Sequence, residues 1–187
     1  MQNNLLVIDN FLNSEICEDL IRDLNEQTTW RFSQVYSSNS KVSLDKPEFR
    51  RSYSISLNSE WEDELKRRIK DRIPEIDEHF NQEIYALEKI EVLKYERGHY
   101  FKPHRDDRTG KRKITGIIYL NTSGSDNENS FQGGELKLYG IIPNAPSSLG
   151  FPVQAIKGRF VLFRSELLHE VTPLIGGVRY SIVTWFL

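Results

Sequence analysis

The spacing of hydrophobic and polar positions changes near residue 84. Before it, "LLVIDNFL" (5–12) reads as a strand running into a loop. Asn13 and Ser14 then offer an N-cap to "EICEDLIRDLNEQ", where Ile16, Leu20, Ile21 and Leu24 recur at helical spacing. A second helical pattern covers 59–83, with Trp61, Leu65, Ile69, Ile73 and Ile76 at four- and three-residue steps. Pro74 is placed to break or kink it. "WRFSQVY" (30–36) and "RRSYSISL" (50–57) read as strands on either side of the polar stretch 37–49.

After residue 84 the runs become short and β-rich: "ALEKIEVLKYE", "KITGIIYLNT", "GELKLYG", "FPVQAIKGRFVLFR" and "RYSIVTWFL". Loops 123–134 and 141–151 interrupt them, and Gly133 and Gly134 read as turn glycines. Many short strands punctuated by Gly, Pro and Asn predict an antiparallel sandwich or barrel. The expected fold class is α+β. A jelly-roll core over 84–187, a double-stranded β-helix, is buttressed by the helices and strands of 1–83, all within one domain (1–187).

Composition narrows the classes. Hydrophobic residues at 38% and aromatics at 11% exclude a disordered chain. A net charge of −2 gives no overall field for nucleic acid or an anionic membrane. Cys17 is the single cysteine, so no intrachain disulfide forms, which suits a reducing compartment. The opening residues lack a basic segment before a long apolar run, and no window approaches the ~18 apolar residues of a membrane helix. A soluble cytoplasmic chain is expected.

The chemistry concentrates in "YERGHYFKPHRDD" (95–107). In a strand, His104 and Asp106 point to one face, while His99 and Asp107 fall out of phase. His79 reads as a boundary residue of the second helical stretch. A His-x-Asp pair alone is a weak signal and suits a solvated loop better than a site. His169 strengthens it, because two imidazoles and one carboxylate make the facial triad of non-haem iron(II) oxygenases. Arg179 and Ser181 share a face of the last strand, where a guanidinium and a hydroxyl can hold a carboxylate. An ordinary surface ion pair is the alternative for Arg179.

Together these residues resemble the 2-oxoglutarate- and Fe(II)-dependent dioxygenases, in particular the prolyl 4-hydroxylase-like branch. Tyr95, Gly98, Tyr100, His104 and Asp106 match its Tyr-x-x-Gly-x-Tyr-x-x-x-His-x-Asp segment. "GIIYLN", "GGEL", "KGRFVLFRSELLHEVTP" and "RYSIVTWF" resemble its later core strands. The likeness covers roughly 84–187. It implies iron ligation by His104, Asp106 and His169. It implies that Arg179 holds the distal carboxylate of 2-oxoglutarate with Tyr119, while Tyr95 approaches the metal-proximal end of that cosubstrate. Fe(II), 2-oxoglutarate and dioxygen follow as cofactors, with ascorbate as a candidate accessory. Succinate and CO2 are the implied coproducts. Asp106 argues against the halogenating relatives, which lack that carboxylate.

The implied substrate is a prolyl residue of a peptide or protein, or free proline. The alternatives are another amino acid or small molecule, and a 2-oxoglutarate- or metal-binding sensor without turnover. Arg105 is a candidate substrate contact at the pocket mouth, and Trp185 a candidate pocket wall or plain core. "RTGKRK" (108–113) reads as a solvated hairpin turn, with steering of an anionic substrate as the alternative. Segments 37–49 and 123–131 are candidate lids, and Glu170 and Asp107 are candidate partners for the imidazoles.

Overall fold

The computed structural model describes residues 3–37, 42–44, 46–107, 110–124 and 129–187. Its first half contains β1 (Leu5–Ile8), α1 (Ser14–Glu26), β2 (Arg31–Phe32), β3 (Val35–Ser37), β4 (Val42–Leu44), β5 (Arg50–Arg51), β6 (Tyr53–Ile55), α2 (Ser59–Lys70) and α3 (Ile73–Phe80). The second half is β7 (Leu87–Tyr95), β8 (Tyr100–His104), β9 (Ile114–Tyr119), β10 (Gln132–Gly133), β11 (Leu136–Tyr139), β12 (Gly150–Val153), β13 (Phe160–Arg164), β14 (His169–Val171), β15 (Leu174–Gly176) and β16 (Arg179–Phe186). Residues 38–41, 45 and 125–128 of the two candidate lids lie outside the described residues, as do 108 and 109.

Helix starts follow local chemistry. The Asn13 side chain accepts from the Ile16 amide at 2.9 Å, and Asn58 does the same for Trp61. The expected 59–83 helix is two helices, and the break at 71–72 precedes Pro74. Proline belongs to the first turn of α3, where its missing N–H costs nothing.

Antiparallel sheet predominates over helix. One sheet has seven strands in the order β1-β13-β9-β16-β7-β6-β2, and a second has five, β12-β11-β14-β8-β5. The seven-stranded sheet is buried on both faces. On one, Ile90, Val92, Ile118, Leu162 and Ile182 share a cluster with Leu20, Leu65 and Phe80 of the helices. On the other, Ile117, Tyr119, Phe163 and Val183 meet Leu136 and Leu138 of the five-stranded sheet. Two-sided burial explains why "RYSIVTWF" reads as apolar almost throughout and does not alternate. This arrangement is consistent with a jelly roll.

Three sequence expectations change. "WRFSQVY" is not one strand: β2 joins the seven-stranded sheet and β3 pairs with β4 in a separate one. "RRSYSISL" is not one strand. Ser52 is fully buried, and the chain there passes from the five-stranded sheet (β5) to the seven-stranded one (β6). "RTGKRK" is not a hairpin turn, because β8 and β9 before and after it lie in different sheets. Arg112 in that run is tied down, paired with Glu88 at 2.6 Å. Among the described residues no helix is long and apolar enough to cross a membrane.

Candidate metal and carboxylate site

β8 and β14 are neighbours in the five-stranded sheet, and their register sets His169 directly opposite His104. The imidazole centroids are 4.1 Å apart. Asp106 closes the group: its Oδ1 is 3.4 Å from His104 Nε2 and its Oδ2 3.5 Å from His169 Nε2. All three ligand atoms lie within 4.8 Å of one another. Metal–nitrogen bonds of about 2.1 Å put neighbouring octahedral ligands about 3 Å apart, so the donor set suits one cation held on one side.

The pairing of His104 with Asp106 has a different cause from strand phase. β8 ends at His104, and Asp106 lies in a bend beyond it. The Ser165 carbonyl holds that bend by accepting the Asp106 and Asp107 amides at 3.0 and 3.1 Å. His99 precedes the strand, stays outside the group and accepts the Glu96 amide on Nδ1.

Each imidazole is oriented by a carbonyl two residues earlier in the chain. Nδ1–H of His104 donates to Lys102 O and Nδ1–H of His169 to Leu167 O, both at 2.8 Å. A carbonyl only accepts, so Nδ1 carries the proton and the Nε2 lone pairs face the site. The candidate acids serve elsewhere. Glu170 accepts from the Tyr139 hydroxyl, and Asp107 accepts from the Gly110 and Lys111 amides.

Two further residues escaped the sequence reading. Thr115 donates to Asp106 Oδ2 at 2.9 Å and accepts from the Ser165 hydroxyl at 2.8 Å. Thr115 sits at an inward-facing position of β9, in phase with Ile117 and Tyr119, and Ser165 directly follows β13, continuing the phase of Val161 and Phe163. That polarity was the available signal. Thr115→Val is expected to leave the fold intact and weaken Mn(II) affinity about 10- to 100-fold, as read by metal titration.

Burial pushes the His104 pKa below its ordinary 6.5, helped by the His169 imidazole beside it and opposed by Asp106. Burial alone would raise the Asp106 carboxyl, but the imidazoles of His169 and His104 outweigh it and hold it well below the usual carboxylate range. Below pH 6.5 the unfolded chain therefore binds protons at position 104 before the folded one does, so stability falls on acidification. Metal retention is expected to persist through pH 6.5 and fail below it. Mn(II) titrations across about pH 5–8 check this, and an onset of loss above 6.5 contradicts it.

Arg179 begins β16 opposite Tyr95 of β7, and Ser181 lies opposite Tyr119 of β9. Arg179 is 1% exposed. Its guanidinium sits 5.0 Å from the Tyr95 ring and 5.2 Å from that of Tyr119, and donates to Gly134 O at 3.1 Å. Gly134 has φ +60, and a Cβ there would meet Leu174 Cδ1 at 2.6 Å, so this turn glycine also shapes the arginine's berth. Among the described residues Arg179 Nε and the Tyr119 hydroxyl are buried without partners. Burial raises the Tyr119 pKa, keeping its hydroxyl a donor. A buried cation and an unused donor side by side fit an incoming carboxylate.

An open cleft of about 1520 Å³ reaches the metal group and Arg179. Ser181, Tyr95 and Trp185 line it. Trp185 belongs to the intersheet core as well, with the Arg112 guanidinium 4.1 Å above its ring. Arg105 is exposed at the rim, donating to the Glu166 carbonyl.

The profile of the 2OG-Fe(II) oxygenase superfamily matches residues 90–187. A PKHD-type hydroxylase of Idiomarina loihiensis is 27% identical over 97 residues, 52% of this chain and 41% of that protein. The chain spans about two fifths of the length of the curated relatives it matches. Among solved structures, a Trichoplax adhaerens prolyl hydroxylase in complex with a hypoxia inducible factor peptide superposes with TM-score 0.77. The two are 23% identical, over 98% of this chain and 83% of that one. A Pseudomonas putida prolyl-4-hydroxylase gives 0.70 at 18% identity, over 98% and 92%. These likenesses establish the fold.

Proposed function

The chain belongs to the 2OG-Fe(II) oxygenase superfamily, and from that premise we propose that it is a dioxygenase that hydroxylates a prolyl residue of a peptide or protein. Residues 84–187 form the jelly-roll catalytic core in this reading, and residues 1–83 its support. The observation that carries it is the convergence of His104, Asp106 and His169 in one cleft with the buried Arg179. When bound, ferrous iron and 2-oxoglutarate supply the oxidation, in which dioxygen converts C–H to C–OH and 2-oxoglutarate leaves as succinate and CO2.

The protein's own residues bind and orient. His104 and His169 present neutral Nε2 atoms to the ion, and Asp106 presents a carboxylate steadied by Thr115. Arg179 and Tyr119 hold the distal carboxylate of the cosubstrate, with Ser181 beside them and Tyr95 beneath the guanidinium. The cleft of about 1520 Å³ exceeds the roughly 300–1,000 Å³ of small-ligand pockets, which favours a peptide over free proline. Trp185 walls the cleft and Arg105 stands at its mouth.

The test is anaerobic loading with Fe(II), ascorbate and 2-oxoglutarate, then admission of air with and without proline peptides. Peptide-stimulated succinate is the expected result. Tight 2-oxoglutarate binding with no stimulation by peptides, amino acids or other small molecules would replace the enzyme with a sensor.

A further inference from the structure

We propose that the substrate segment is acidic: the peptide entering this cleft carries Asp or Glu beside its target residue. This rests on the oxygenase reading and names its substrate class. The chain as a whole has a net charge of −2, yet the wall of the cleft is basic. Arg31, Lys46, Arg50, Lys102, Arg105 and Lys111 all line it. Among the described residues none of the six forms a salt bridge. Among the described residues Arg50 reaches the Ser52 hydroxyl, the Gln34 carbonyl and the face of Phe101, and Arg105 a carbonyl.

The carboxylates in the same wall are mostly committed. Asp106 belongs to the metal group. Glu88 is held by Arg112 and Glu91 by Lys89. Asp107 accepts backbone amides of its own loop. Among the described residues Glu48 is what remains. Like charges gathered around a concave surface focus the field and attract the opposite sign.

The edges of the two sheets favour a peptide over a nucleic acid as the anion. β2 is the last strand of the seven-stranded sheet and β5 the last of the five-stranded one. Residues of both line the cleft, so Arg31 and Arg50 stand on sheet edges. An edge strand offers main-chain N–H and C=O groups that an extended peptide pairs with and a phosphodiester chain does not. Phe32, 59% exposed in β2, adds an apolar contact there.

The experiment uses protein loaded with Mn(II) and 2-oxoglutarate. Three fluorescent pools of proline-centred peptides carry flanks of Asp/Glu, Asn/Gln or Lys/Arg, and binding is followed by anisotropy. The acidic pool is expected to bind about tenfold more tightly than the amide pool at low salt. The advantage shrinks as ionic strength rises and screens the rim. The triple variant R31E/K46E/K111E is expected to erase it, and 2-oxoglutarate affinity in the same sample reports that the variant is folded. Equal binding of acidic and amide pools, binding by none, or a preference that survives the triple variant overturns the proposal. Tighter binding of a single-stranded oligonucleotide than of the acidic pool overturns it in favour of nucleic acid. Failure of 2-oxoglutarate to bind the unsubstituted protein would instead count against the oxygenase reading, because the anisotropy measurement does not depend on turnover.

Discussion

His104→Ala and His169→Ala are each expected to reduce succinate formation to background and to strip the protein of tightly held Fe(II) or Mn(II). Each change removes one of three ligand atoms that lie within 4.8 Å of one another. Loss of partners that merely orient metal ligands costs 10- to 100-fold in affinity, so loss of a ligand itself should exceed about 100-fold. His99→Ala is the control. That ring packs on Tyr53 and accepts the Glu96 amide, outside the group, so near-normal turnover is expected. Metal content after dialysis and succinate yield, with a melting curve to verify folding, decide the matter. Should His99→Ala silence the protein while His104→Ala does not, the metal site has been assigned to the wrong histidine.

Arg179→Met is expected to separate stability from activity. The guanidinium is buried between two tyrosine rings, and no described carboxylate pairs with it. A buried cation is costly unless an anion joins it. Methionine fills much of the same volume without that cost, so the variant should melt at the same temperature or higher. Its 2-oxoglutarate requirement should rise about 100-fold or more, since removing one member of a buried ion pair costs roughly 3–5 kcal/mol. In the unsubstituted protein, 2-oxoglutarate should raise the melting temperature, and in Arg179→Met that rise should vanish. An unchanged cosubstrate requirement would remove Arg179 from the role given to it.

The helices and the site residues were legible for different reasons. Asn13 and the spacing of Leu20 and Leu24 act within a few residues, so the start and buried face of α1 can be read from the chain. His104 and His169 stood out because the chain has only four histidines, and Asp106 and Arg179 because they follow in register with them along the chain. What stayed hidden depends on pairing across long separations. The passage at Ser52 between sheets and the parting of β8 from β9 arise from strand partners 37 or more residues away. The carbonyls of Lys102 and Leu167 that orient the imidazoles have no side-chain signature. Asp106 was paired correctly with His104, though the bend pinned by Ser165 does what strand alternation was expected to do.

β16 ties chemistry and architecture to one parity. Tyr180, Ile182 and Phe186 point into the helical layer, while Arg179, Ser181, Val183 and Trp185 face the cleft. Inserting or deleting a single residue here would exchange the two sets, driving a guanidinium into the apolar layer and a tyrosine into the cleft. A length change in this strand is therefore expected to cost far more than one in a loop, and the strand behaves as a fixed reading frame for the site.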